Sequence, residues 1–370
     1  MDIKAYLRKG GLFMVNKWIT LPAAVLCAGS LLLSACNDGS PVSVSSAQPA
    51  PTTAPVPAPT PKSEETALTA PLTGLPVKQK VDKRPMMVMI NNQSQARPQS
   101  GLTHADVLYE VLAEAEITRL VALFQSNKAD EPVGPVRSIR PYFIEIGKMY
   151  DAIPVHAGGS PDAYAMLQNE NIQDIDEIAN AGAYFWRESF RKAPHNLYTR
   201  LSKLDAGAAK LGYRQTLKSA ASPVFAQVKE TPSGEPAAKA EITFLLKNYT
   251  VSYKYEPSNG TYKRSINGEP HIDLNNKQQL DTKNVIILGA EHKVLDNEGR
   301  REVKLTGTGP AYVLQQDRLI KGEWQRSKEN ELFKLKKDGK EIPLLPGKSH
   351  YLIVPDNPSF ESHVKITADQ

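Results

Sequence analysis

An α+β fold is predicted for this 370-residue chain: a mixed α/β N-terminal module followed by a mostly antiparallel β module. Three observations predict it. The first half mixes short apolar runs with stretches of helical character, and the second half is strand-rich, with turn signals between the strands. A compositional dip at 222–239 (SPVFAQVKETPSGEPAAK) reads as a linker or long exposed loop, placing the N-terminal module at 70–221 and the β-rich module at 240–365.

Residues 1–35 come first, and they read as an export signal. Lys4, Arg8, Lys9 and Lys17 precede an uncharged run over 18–35 that ends in small residues. Leu33-Ser34-Ala35-Cys36 resembles a lipobox, which implies diacylation of Cys36 and a mature chain that begins there. An uncleaved anchor helix is the competing reading, and Pro22 interrupts the run it would need. A diacylglyceryl group at Cys36 would hold the chain on the outer face of the bacterial cytoplasmic membrane, because two acyl chains anchor where one binds only transiently.

Residues 36–69 are dense in Pro, Ala, Ser and Thr, too poor in apolar surface to offset the entropy of ordering. They are predicted to form a disordered tether. Thirty residues of polyproline II at ~3.1 Å each would span roughly 90 Å.

Strands are expected at Pro85–Ile90, Val285–Leu288 and Tyr351–Val354, and a strand or helix over Val107–Arg119. Glu170–Ala181 and Lys203–Leu211 look helical. Val251–Tyr255 and Thr261–Ile266 alternate around Asn259-Gly260, a hairpin signal.

Charge and cysteine usage narrow the function classes. The formal net charge of +5 falls to +2 without residues 1–35, whose four basic side chains face only Asp2, and no basic block interleaved with aromatics is present, so nucleic acid is not an expected partner. Both cysteines, Cys27 and Cys36, precede the tether, so the body folds without an internal disulfide.

Polar motifs crowd residues 91–200. ARPQSGL (96–102), GPVRSIR (134–140), HAGGS (156–160), FWR (185–187) and PHNLYT (194–199) occur in that order, and a hairpin-like YKYEPSNGTYKRSINGEPHID follows at 253–273. With them the body resembles the YerB-like cell-envelope lipoproteins, residues 71–215 matching their N-terminal module and 240–356 their C-terminal one. That resemblance implies a fold and an envelope address; the family's function is unknown.

Chemistry has to be read from the residues. Guanidinium groups pair bidentately with carboxylate or phosphate, so Arg97, Arg119, Arg137, Arg140 and Arg187 could line a groove for an anionic envelope component, whether a wall polymer or a wall-synthesis protein. The arginines could instead pair internally with Glu110, Glu114 or Glu116. His156, Ser160, His195 and Asn196 are further candidate ligand-binding residues, with Gly158 and Gly159 allowing close backbone approach.

Other chemistries have less behind them. A hydrolase triad built on Ser160 lacks the G-x-S-x-G context, and a zinc site from His156, His195 and Asp162 lacks ligand spacing; no metal or other cofactor is expected. Glu114, flanked by Val111-Leu112-Ala113 and Ala115, could act as a general acid on wall glycan if burial raised its pKa. Three functions therefore compete: a binding module, a glycan-cleaving enzyme using Glu114, and a partner-docking protein using exposed strand edges of the second module.

Overall fold

The computed structural model describes residues 68–368, apart from 128, 219–221 and 228–231. The export segment, Cys36 and residues 37–67 of the tether lie outside them. In the first half the chain forms β1 (Met86–Asn91), β2 (Val107–Glu114), β3 (Ile117–Phe124), α1 (Pro141–Met149), β4 (Ile153–His156), α2 (Pro161–Asn169) and β5 (Ile175–Asp176). The short pair β6 (Trp186–Arg187) and β7 (Leu197–Tyr198) and then α3 (Leu201–Lys210) complete it.

The second half is almost entirely strand. It runs β8 (Glu235–Pro236), β9 (Lys239–Thr243), β10 (Thr250–Glu256), β11 (Thr261–Ile266), β12 (Glu269–Pro270), β13 (Asp281–Thr282), β14 (Asn284–Ala290) and β15 (His292–Val294). After these come β16 (Arg301–Val303), β17 (Gly307–Gln315), β18 (Arg318–Arg326), β19 (Lys334–Lys337), β20 (Lys340–Glu341), β21 (Ser349–Pro355) and β22 (Val364–Thr367). The fold is α+β, as the sequence predicts.

One twelve-stranded sheet is shared by both halves, in the order β20-β19-β18-β17-β14-β21-β2-β3-β1-β4-β5 with β8 added beside β18. The junction is parallel: β21 lies between β14 and β2, with Tyr109 opposite Tyr351 and Val285 opposite His350. These central strands are buried on both faces and are mostly apolar, Glu110 in β2 and His350 in β21 being buried exceptions. On one face Met87, Met89, Tyr109, Val111, Ile286 and Tyr351 pack with α1 and α2. On the other face Leu112, Val285, Ile287 and Leu352 meet Ile242, Val251, Tyr253 and Tyr262 of a six-stranded sheet, ordered β12-β11-β10-β9-β22 with β13 beside β11.

The described part of 222–239 runs along the second half: Phe225 bridges Leu344, and β8 pairs with β18. Close backbone approach explains Gly322 in β18, where an added Cβ would fall onto the carbonyl of Lys336 in β19. Gly322→Ala is expected to lower stability by about 1–3 kcal/mol, the usual range for overpacking, measured by urea denaturation. An unchanged midpoint would show that β19 can move away.

Val107–Arg119 is neither one strand nor one helix. It spans β2 and the start of β3, joined by a turn in which Ala115 takes a positive φ of 47°. The helix expected over Glu170–Ala181 does not form, because its acidic and amide side chains bind backbone instead. Asp176 Oδ1 accepts from Gly158 N and Ile178 N, and Asn180 Oδ1 accepts from Asp176 N. Helices occur instead at α1 and α2, each opened by a proline, Pro141 or Pro161, at its first position.

Candidate functional site

Strands β1, β4 and β5 run parallel, and their carboxyl ends meet at one rim of the large sheet. Crevices that bind ligands in open α/β sheets lie at such rims. Beyond β4 the chain continues as Ala157-Gly158-Gly159, and beyond β5 as Glu177-Ile178. The segment around Arg137 is clamped beside both: Arg137 N donates to Met89 O (2.9 Å), Ala157 N to Arg137 O (3.1 Å) and Ile139 N to Gly158 O (2.9 Å).

Between these loops opens a cleft of about 450 Å³, lined by Arg137, Ser138, Gly158, Gly159, Tyr164, Ile178, Arg187 and Pro194 among others. Gly158 has a positive φ of 74°, and a Cβ on it would lie 3.1 Å from Ile178 Cδ1 and 3.7 Å from Ser138 Oγ. A glycine therefore keeps the cleft open where its polar and apolar walls approach. A larger cavity of about 860 Å³, between residues 77–83 and α3, contains none of the site residues predicted from sequence.

The three arginines of the cluster have different fates. Arg119, 5% exposed, donates from Nη2 to Glu114 Oε2 (2.9 Å) and from Nη1 to Ser138 O (2.6 Å). Arg140 also pairs with Glu114, through Oε1, and donates to its neighbour Ile139 O (2.7 Å). Arg137 is half-buried on the cleft wall, and its guanidinium has no hydrogen-bond or ion-pair partner among the described residues; its Nε is fully buried without an acceptor. Burial and the neighbouring charges of Arg119 and Arg140, partly offset by Glu114, lower the Arg137 pKa.

Glu114 is held in the opposite sense from that required of a general acid. Burial alone would push its carboxyl up, but Arg119 and Arg140, helped by Arg137, outweigh burial and hold it below the usual carboxylate range. The expectation of a raised pKa fails because its neighbours in space are guanidiniums rather than the apolar residues beside it in sequence. A depressed folded pKa stabilises the protein above the unfolded value and loses that contribution as pH falls through the folded one. Glu114→Gln is therefore expected to flatten the acid side of the stability–pH curve, read from urea midpoints between neutral pH and pH 3; an unaltered acid limb would contradict the pairing.

The remaining candidates surround the cleft or support it. His156 is fully buried, with Nδ1 2.9 Å from Gly158 O and Nε2 3.1 Å from Asp174 Oδ2, so it shapes the glycine turn from beneath. Ser160 caps α2 by accepting from Ala163 N (3.3 Å). Arg187 lines the cleft and pairs with Glu177 at 3.4 Å. Asn196 is buried, accepting from Arg187 (3.2 Å) and donating to Glu188 O (2.9 Å).

His195 sits nearby, its Nδ1 2.9 Å from Asn91 Nδ2, and burial with the charges of Arg137 and Arg191 lowers its pKa. Arg97 is elsewhere, stacked 5.3 Å from the ring centre of Tyr249. Among the described residues no group of three or more His, Cys, Asp or Glu is placed to hold a metal ion, and no helix is long and apolar enough to cross a membrane.

Sequence reasoning missed Asp176, Tyr164 and Ile178. Asp176 is fully buried and, by taking Gly158 N, Ile178 N and the Tyr164 hydroxyl (2.7 Å), pins both loops of the cleft. Nothing local marks it, since Ile-Asp-Glu-Ile reads equally as a helix face.

Two family models match the chain: the N-terminal domain of the protein of unknown function DUF3048 at residues 72–214, and the DUF3048 C-terminal domain at 240–350. The chain belongs to the DUF3048 family. Its motif order had indicated the same relationship, since this DUF3048 chain is 37% identical over 292 residues to the putative lipoprotein YerB of Bacillus subtilis (strain 168), covering 78% of this chain and 87% of that one. The crystal structure of Bacillus subtilis YerB matches with a TM-score of 0.72 at 34% identity, over 81% of this DUF3048 chain and 99% of the other. Neither relative's name states a ligand.

Proposed function

We propose that the protein is a lipoprotein of the cell envelope, anchored through Cys36 on the outer face of the cytoplasmic membrane, that captures an anionic envelope component in the cleft beside Arg137. The name of the YerB relative, a putative lipoprotein, and the lipobox-like Leu33-Ser34-Ala35-Cys36 support the anchor. One observation carries the binding reading: of the three clustered arginines, Arg119 and Arg140 are committed to Glu114, and Arg137 alone faces an open cleft with no partner among the described residues. A guanidinium in that setting favours carboxylate or phosphate through charge-assisted hydrogen bonds.

Binding rather than cleavage is favoured by the ionised state of Glu114. Incubating the purified protein with isolated wall sacculi tests both readings together. Capture predicts sedimentation with the sacculi and no released fragments; soluble fragments in the supernatant would instead indicate an enzyme, and protein left wholly in solution would remove the wall as ligand.

A further inference from the structure

The cleft is not uniformly polar. Ile178 is 70% exposed, more than any other large hydrophobic side chain among the described residues, and its Cδ1 reaches over Gly158 toward Ser138. Leu197 and Pro194 line the same space. An exposed isoleucine held in place by its own backbone, with Ile178 N bonded to Asp176 (3.1 Å), is ordered apolar surface that no part of the described chain covers.

Polar and apolar features lie within one small ligand's length. Arg137 and the Ser138 hydroxyl supply donors, and the Gly159 N–H has no acceptor among the described residues. A single unpaired guanidinium matches the planar fork of a carboxylate. The volume of about 450 Å³ is near the lower end of small-molecule sites and suits two or three residues of peptide.

Resting on the anion-binding reading above, we infer that the cleft takes the free C-terminal end of a peptide, its carboxylate on Arg137 and a small apolar side chain against Ile178. Specificity then comes from two separable contacts. The carboxylate is recognised by charge and geometry, the side chain by burial against Ile178, and the preceding peptide leaves through the mouth of the cleft.

Titrating the full-length protein with acetate, N-acetyl-alanyl-alanine and the same dipeptide with an amidated C-terminus, followed by protein NMR, separates these contacts. The dipeptide acid is expected to bind at least about tenfold tighter than acetate, and the amide not to bind. Ile178→Ser, at an exposed position, should remove most of that advantage while leaving acetate binding unchanged, and Arg137→Gln should abolish both. Equal binding of acetate and dipeptide, or binding of the amide, would overturn the peptide assignment while leaving the anion site intact. Absence of all anion binding, or binding that survives Arg137→Gln, would overturn the underlying reading as well. Arg137-dependent binding to phosphatidic acid vesicles without dipeptide binding would replace the peptide by a lipid headgroup.

Discussion

Arg264→Met is expected to lower the free energy of unfolding by about 3–5 kcal/mol, the usual cost of removing one partner from a buried ion pair. Arg264 and Glu110 lie 2.7 Å apart with side chains 1% and 2% exposed, between the large sheet and the six-stranded one. The substitution strands a carboxylate that also accepts from Tyr249 Oη (2.6 Å), Thr118 Oγ1 (2.7 Å) and Asn92 Nδ2 (3.1 Å). It also leaves Tyr253 Oη and His271 Nδ1 without their donor.

Burial and the Arg264 charge push His271 far below its ordinary pKa, so the ring is neutral and its Nδ1 is free to accept. A double substitution, Glu110→Met with Arg264→Met, should recover part of the loss, because no charge is then left buried. Urea denaturation at neutral pH decides the matter. A loss below about 1 kcal/mol for Arg264→Met, within the range of exposed pairs, would mean that water reaches Glu110 once the arginine is gone.

Arg137→Ala is expected to reduce retention on wall sacculi by about tenfold or more without a comparable fall in stability. Hydrogen bonds to a charged group contribute about 1.5–3 kcal/mol, and 1.4 kcal/mol is a factor of ten in affinity. Folding should be spared because Arg137 donates no side-chain hydrogen bond to any described residue. Arg119→Ala should behave in the reverse manner: that side chain ties Glu114 to Ser138 O, so its loss should lower stability first. Arg187→Ala should have the smaller effect on retention, since that side chain is 48% exposed and already faces Glu177. Sedimentation with sacculi, paired with a melting curve for each variant, distinguishes these outcomes.

The parts of the molecule legible in the sequence were those governed by local chemistry. The hairpin of β10 and β11 around Asn259-Gly260, the buried strand β1 and helix α3 each carry their own periodicity or turn signal. Helices α1 and α2 had a signal too, a proline at the first position, but each proline directly follows a motif that draws attention as chemistry. Asp176 and Asn180 turned a helical pattern into turns around the short strand β5 because their oxygens found backbone N–H groups, one of them 18 residues away.

At the site, the sequence shows that arginines recur through the first half, but their pairing depends on three-dimensional neighbours. Glu114 met Arg119 through the β2–β3 turn and Arg140 across 26 residues, whereas Glu110, four residues earlier, found Arg264 on the other face of the sheet. Which guanidinium remains open is decided by those long-range choices. Residue type alone could not single out Arg137.

The most direct measurement is an arginine-selective 15N NMR titration of the purified protein with soluble wall fragments. Occupancy of the cleft requires the Arg137 Nε–H resonance to shift in a saturable way while those of Arg119 and Arg140, held by Glu114, stay in place. Movement of Arg119 and Arg140 with Arg137 unaffected, or a spectrum that does not change at saturating fragment, would contradict the assignment of the cleft as the binding site.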